Sequence, residues 1–171
     1  MVLRAENKNL YIRRALLALL ILFVAALQNT AGLFPSVLGV RALLLIPLVV
    51  CVSMHERDIA GLFFGLFAGL LWVCVATGTP QYNALMLATI GFVCGALIEH
   101  LMRNNLVTAL LLTVAAVFLY NTGYWLINFV LRGYDHVFSV YLTFYLPSMV
   151  YTAALMPLFY YMVRFIKDKT R

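Results

Sequence analysis

The sequence predicts an all-α, polytopic membrane protein built as a six-helix transmembrane bundle. Three observations predict it. Of 171 residues, 65% are hydrophobic and only 11% are charged, whereas a soluble domain is usually about half apolar and about a quarter charged. The mean hydropathy is +0.99. The apolar residues also fall in runs close to the roughly 20 residues that a helix needs to cross the hydrocarbon core. A water-soluble enzyme is excluded on these grounds. Disorder is excluded too, because disordered chains are poor in apolar residues and rich in charge. The length accommodates roughly six crossings, short loops and no extramembrane domain.

The first element follows a polar, basic start, MVLRAENKNLYIRR. Its apolar run continues through Gln28 and Asn29 to Phe34 without a small-x-small cleavage site, so a retained helix over about 15–34 is expected instead of a signal peptide. The second run, 37–54, is short and carries Pro47; it reads as a short crossing or a re-entrant segment. The third, 59–77, is clear, and TGTPQYN after it reads as an uncharged turn. The fourth, 83–101, is closed by EHLMRNN, and the fifth, 105–131, by RGYDH. The sixth, 137–165, contains Pro147 and Pro157 and leads to the polar tail KDKTR.

Charge placement supports this count. With a cytoplasmic N-terminus and six crossings, the inside segments hold Arg4, Lys8, Arg13, Arg14, Arg57, Arg103, Arg164, Lys167, Lys169 and Arg171. The outside loops hold Arg41 and Arg132 alone. That asymmetry fits the positive-inside rule. The net charge of +6 therefore reads as topology and contact with anionic membrane lipid, not nucleic-acid binding. Tyr141 and Tyr160 are 19 positions apart, about 28 Å at helical rise. Trp125 and Tyr134 are expected at the outer interface, Tyr160 and Tyr161 at the inner one.

Gly61, Gly65 and Gly69 recur every fourth residue on the third helix, and Ala84, Ala88, Gly91 and Gly95 form a similar stripe on the fourth. Small side chains let helix backbones approach closely. The stripes therefore pack the two helices together or face a partner subunit; Ala15, Ala18, Ala25 and Ala26 form a weaker stripe on the first helix. Polar residues inside the bilayer need partners. Gln28, Asn83, Asn121 and Asn128 gather towards the outer half, where they either fix packing or line an outward pocket. Glu99 and Arg103 are spaced to pair at the inner end of the fourth helix. His55, Glu56, Arg57 and Asp58 form the other inner turn. The three cysteines, Cys51, Cys74 and Cys94, lie in apolar runs and read as buried thiols, with no metal-ligand spacing. No paired mid-membrane carboxylates, GxSxG, HExxH or phosphate-binding glycine loop occurs. Catalysis and a cofactor are not expected.

The order of features resembles the MreD family of bacterial rod shape-determining membrane proteins, from about Ala15 to Phe165. The strongest stretch is GLFFGLFAGLLWVCVATGTPQYNALMLATIGFVCG, residues 61–95. In that family a glycine-spaced helix leads through a Gly/Pro turn into an Asn-Ala-start helix ending in a second glycine pair. The second stretch, LPSMVYTAALMPLFYYMV at 146–163, looks like the family's closing helix. The chain departs from the pattern at Val73 and near Asn121, where many members carry acidic residues, and any role of those acids is not carried over. The resemblance implies a non-catalytic inner-membrane scaffold of the cell-elongation machinery. Such a scaffold would bind a bitopic MreC-like protein and through it link MreB filaments to peptidoglycan synthesis. The family is also similar in fold to the S components of energy-coupling-factor transporters. The alternative is therefore a vitamin-binding S component with an outward pocket.

Overall fold

The computed structural model describes residues 2–30, 42–74, 80–130 and 141–170. Among these residues every regular element is a helix. The helices are α1 (Val2–Asn29), α2 (Leu45–Glu56), α3 (Asp58–Val73), α4 (Pro80–His100), α5 (Leu106–Trp125) and α6 (Leu146–Lys169). A π-helical turn, Leu126–Val130, extends α5, and another, Tyr141–Tyr145, leads into α6. Among the described residues four segments are long and apolar enough to cross a membrane: Asn9–Asn29, Tyr82–His100, Leu106–Asn128 and Tyr141–Lys169. Helices α2 and α3 are shorter, at 12 and 16 residues. At 1.5 Å per residue they reach about 18 and 24 Å, short of the roughly 30 Å hydrocarbon core.

The shortest helix is the most deeply buried. Leu45 to Met54 are all buried, and α2 touches each of the other five helices named above. Its sequence, LIPLVVCVSMHE, is apolar on every side, the pattern of a helix enclosed by others. The sequence left its second run as a crossing or a re-entrant segment; α2 begins only at Leu45, and residues 31–41 lie outside the described residues. Pro47 is the third residue of α2. The first four N–H groups of a helix have no intrahelical acceptor, so proline there sacrifices no hydrogen bond.

Two N–H donors at this end are met from neighbouring helices, and Ile46 N–H bonds back to the Leu43 carbonyl at 3.3 Å. Leu45 N–H donates to Gln28 Oε1 on α1 at 2.9 Å, and Leu43 N–H to Thr152 Oγ1 on α6 at 3.0 Å. In hydrocarbon such donors have no water to fall back on, and each left unsatisfied costs several kcal/mol. The two polar side chains therefore fix where the central helix starts.

The surrounding helices sort their residues by size. On α1 the buried positions are Leu17, Leu20, Ile21, Val24 and Ala25, one stripe at helical spacing. On α3 the buried residues are all small: Gly61, Gly65, Ala68 and Gly69. Phe64, Leu71 and Trp72 pack against the core, but Ile59 and Phe63 are both exposed. Also exposed are Leu85 on α4, Phe118 and Leu119 on α5, and Leu158 and Phe165 on α6. An apolar exterior, with small residues where α3 meets its neighbours, suits a protein whose solvent is lipid, where dispersion packing and hydrogen bonds, not escape from water, hold helices together.

One expected pair is corrected. Glu99 does not meet Arg103. Helix α4 ends at His100, and Arg103 lies in the extended link to α5, off the i, i+4 register. Glu99 instead approaches Arg57 at 3.9 Å, across from the α2–α3 turn. Of the cysteines, Cys51 and Cys94 are buried, but Cys74, at the end of α3, is exposed. Tyr134, the whole of RGYDH and residues 77–79 of TGTPQYN lie outside the described residues, while PQYN, read as turn, is the first turn of α4.

Candidate functional site

Three groups of residues carry possible function. The first is the α3–α4 seam. A Cβ placed on Gly61 would lie 2.6 Å from the Gly91 carbonyl oxygen, and one on Gly69 would lie 2.5 Å from the Ala84 Cα. On Gly65 it would overlap the Leu87 carbonyl beside Ala88, and on Gly91 the Gly61 carbonyl. Gly95 rests against the backbone of Asp58, 2.7 Å from where its Cβ would be. The two stripes therefore face each other along the whole length of the pair. Backbone lies on backbone, the geometry in which weak Cα–H contacts and dispersion are strongest.

The second group lies at the end of the bundle where α1 finishes and α2 starts. Tyr120 O–H donates to Asn83 Oδ1 at 2.6 Å, and Tyr82 O–H to the Tyr120 carbonyl at 2.7 Å. Trp72 stacks on Tyr120 at 5.3 Å between centroids, and Tyr124 meets Tyr82 edge-on at 5.8 Å. Asn121 is buried at 2% exposure, and its Nδ2 has no partner among the described residues. Asn128 Nδ2 donates to the Tyr124 carbonyl at 3.0 Å, inside the π-helical turn where the ordinary ladder is broken. Gln28 serves α2, as described. Asn83 thus belongs to an aromatic-walled cluster, Gln28 and Asn128 satisfy backbone groups, and Asn121 is buried on α5 beside Tyr120 in sequence. The tyrosines were not singled out from the sequence, although Tyr120 and Tyr124 one turn apart on α5 are a legible signal.

The third group is the basic end, where the α2–α3 turn and the C-terminal turns of α4 and α6 meet. Glu56 is 4% exposed. It pairs with Arg13 and, at 3.2 Å, with Arg14 of α1. Sequence reading placed Glu56 in an inner turn without naming a partner; two adjacent arginines just before the apolar part of α1 were the available signal. Asn104 Nδ2 donates to the Met54 carbonyl at 2.8 Å, tying the α4–α5 link to α2. His55 bonds through Nδ1 to the Cys51 carbonyl at 2.8 Å. A carbonyl only accepts, so Nδ1 carries the proton and Nε2 is the free ring atom of the neutral form. Burial holds the His55 pKa below the ordinary imidazole value, opposed by the Cys51 hydrogen bond.

Among the described residues no three His, Cys, Asp or Glu side chains gather to hold a metal ion. Compared with known protein families, curated proteins and solved structures, the chain matches none.

Proposed function

We propose that the chain is a non-catalytic scaffold subunit of the bacterial cell-elongation machinery, of the MreD kind. It would bind an MreC-like bitopic protein, and through it connect MreB filaments to peptidoglycan synthesis. The observation that carries this reading is the glycine-packed α3–α4 pair, because the described residues of the 61–95 stretch on which the resemblance rests, 61–74 and 80–95, pack against each other. In this reading the chain crosses the inner membrane six times with both termini in the cytoplasm. Short α2 serves as a crossing because other helices shield it from lipid, and irregular backbone beside it is tolerated where protein covers it. With the glycine stripes turned on each other, a partner helix would use the outward faces and the basic ends.

A vitamin-binding S component is the second reading, favoured by the buried amide nitrogen of Asn121, which has no partner among the described residues. Gentle purification from the native membrane followed by mass spectrometry tests both. Recovery of a bitopic cell-shape protein and wall-synthesis enzymes is the expected result. Recovery of paired ATPases with a transmembrane coupling subunit would overturn the scaffold reading. So would an Asn121→Leu variant that keeps rod shape but loses vitamin uptake.

A further inference from the structure

At the basic end, the last turns of α6 stand away from α2 and from the α4–α5 link and leave a polar cavity of about 320 Å³. That is at the lower end of the size range for small-ligand sites, about 300–1,000 Å³. Arg164 and Lys167 supply two cations, and His55, Asn104 and Tyr160 line the rest. Asp168 is the one carboxylate on its wall, and it lies 3.8 Å from Arg164. Asn105, also on the wall, is the N-cap of the 20-residue helix α5 and makes no side-chain capping bond, so the first N–H groups of that helix have no side-chain acceptor among the described residues. A helix start of this kind favours anions. Asn104 adds an acceptor: its Nδ2 is engaged by Met54, and its buried Oδ1 has no partner among the described residues.

We propose that this cavity binds a phosphate-bearing anion. The cations and the α5 N-terminus would hold the phosphate, and the Asn104 oxygen would accept a hydroxyl or ammonium proton from the rest of the group. An anionic phospholipid headgroup and a soluble phosphate share this chemistry. Basic pockets between membrane helices are used in this way for headgroups. The inference does not rest on the scaffold reading; it needs only the geometry of this end.

The test uses the full chain in nanodiscs of phosphatidylcholine with a minor fraction of phosphatidylglycerol, read by native mass spectrometry. Wild type should retain phosphatidylglycerol, and Arg164→Gln/Lys167→Gln should lose it by roughly tenfold or more. Both positions are at least partly exposed, so the fold should survive; an unchanged unfolding temperature in pure phosphatidylcholine checks this. Asp168→Asn should strengthen retention about two- to threefold. Inorganic phosphate is the second arm. If it raises the unfolding temperature of wild type but not of the double variant in pure phosphatidylcholine, the site is occupied by soluble phosphate. If the double variant retains phosphatidylglycerol as wild type does and neither responds to phosphate, the proposal is overturned. It is also overturned if Arg103→Gln, which alters a cation at the same end but off the cavity wall, costs as much as the double variant.

Discussion

At the scale of single residues, the basic end concentrates the electrostatics. Glu56 is enclosed between Arg13 and Arg14. Removing one member of a buried ion pair leaves the other charge desolvated and typically costs 3–5 kcal/mol. Because Arg14 is half exposed and retains water, the lower figure applies: Glu56→Ala should lower stability by about 3 kcal/mol in detergent unfolding titrations. A loss below about 1 kcal/mol would mean the pair behaves as a surface contact. His55 gives a pH dependence. Its folded pKa lies below the ordinary value of 6.5, first through burial, with Lys167 and Arg13 adding repulsion while the Cys51 carbonyl and Glu56 oppose it. Between the folded and ordinary values the unfolded chain binds more protons than the native one, so native stability must fall as pH falls through that window. The unfolding midpoint should drop as pH goes below about 6.5, and His55→Gln should remove that part of the slope. A slope identical in the variant would assign it to other groups.

At the scale of elements, α3 and α4 form the firmest unit. Because a Cβ on Gly65 would overlap the Leu87 carbonyl, alanine alone forces the backbones apart. Gly65→Ala should therefore cost about 2 kcal/mol, within the range for overpacking a tight core, and Gly65→Leu should abolish folding. An alanine variant as stable as wild type would show that the seam opens freely. This contact was legible in the sequence because glycine every fourth residue has one geometric consequence in a helix. The buried position of α2 was less legible. A short apolar run with a proline fits several placements, and only the all-round apolar character of LIPLVVCVSMHE distinguishes an enclosed helix. The partner of Gln28 was not legible, and for the partners of Glu56 the adjacent Arg13 and Arg14 were the one signal. Such partners are set by which helices meet, and one residue's identity does not carry that. Glu99 shows the same limit, since the expected partner Arg103 was on the right spacing for a helix that stops at His100.

At the scale of the whole molecule, the described cationic side chains gather at one end. Arg13 and Arg14 reach Glu56, Arg57 approaches Glu99, and Arg164 and Lys167 line a cavity with His55. Arg13 and Arg14, where the apolar part of α1 begins, and the end of α6 thus meet the same end of α2. A positively charged end is retained on the cytoplasmic side during insertion, so both termini should lie in the cytoplasm. This is tested with single cysteines at Lys8 and Lys169, after replacing Cys51, Cys74 and Cys94. An impermeant maleimide should label neither position in intact cells and both after permeabilisation. Labelling of Lys169→Cys alone in intact cells would mean an odd number of crossings. Either α2 or α3, the two helices too short to span by length alone, would then fail to cross, and the six-crossing reading would fall with it. Labelling of both in intact cells would instead invert the whole molecule and place the basic end outside, against the charge asymmetry.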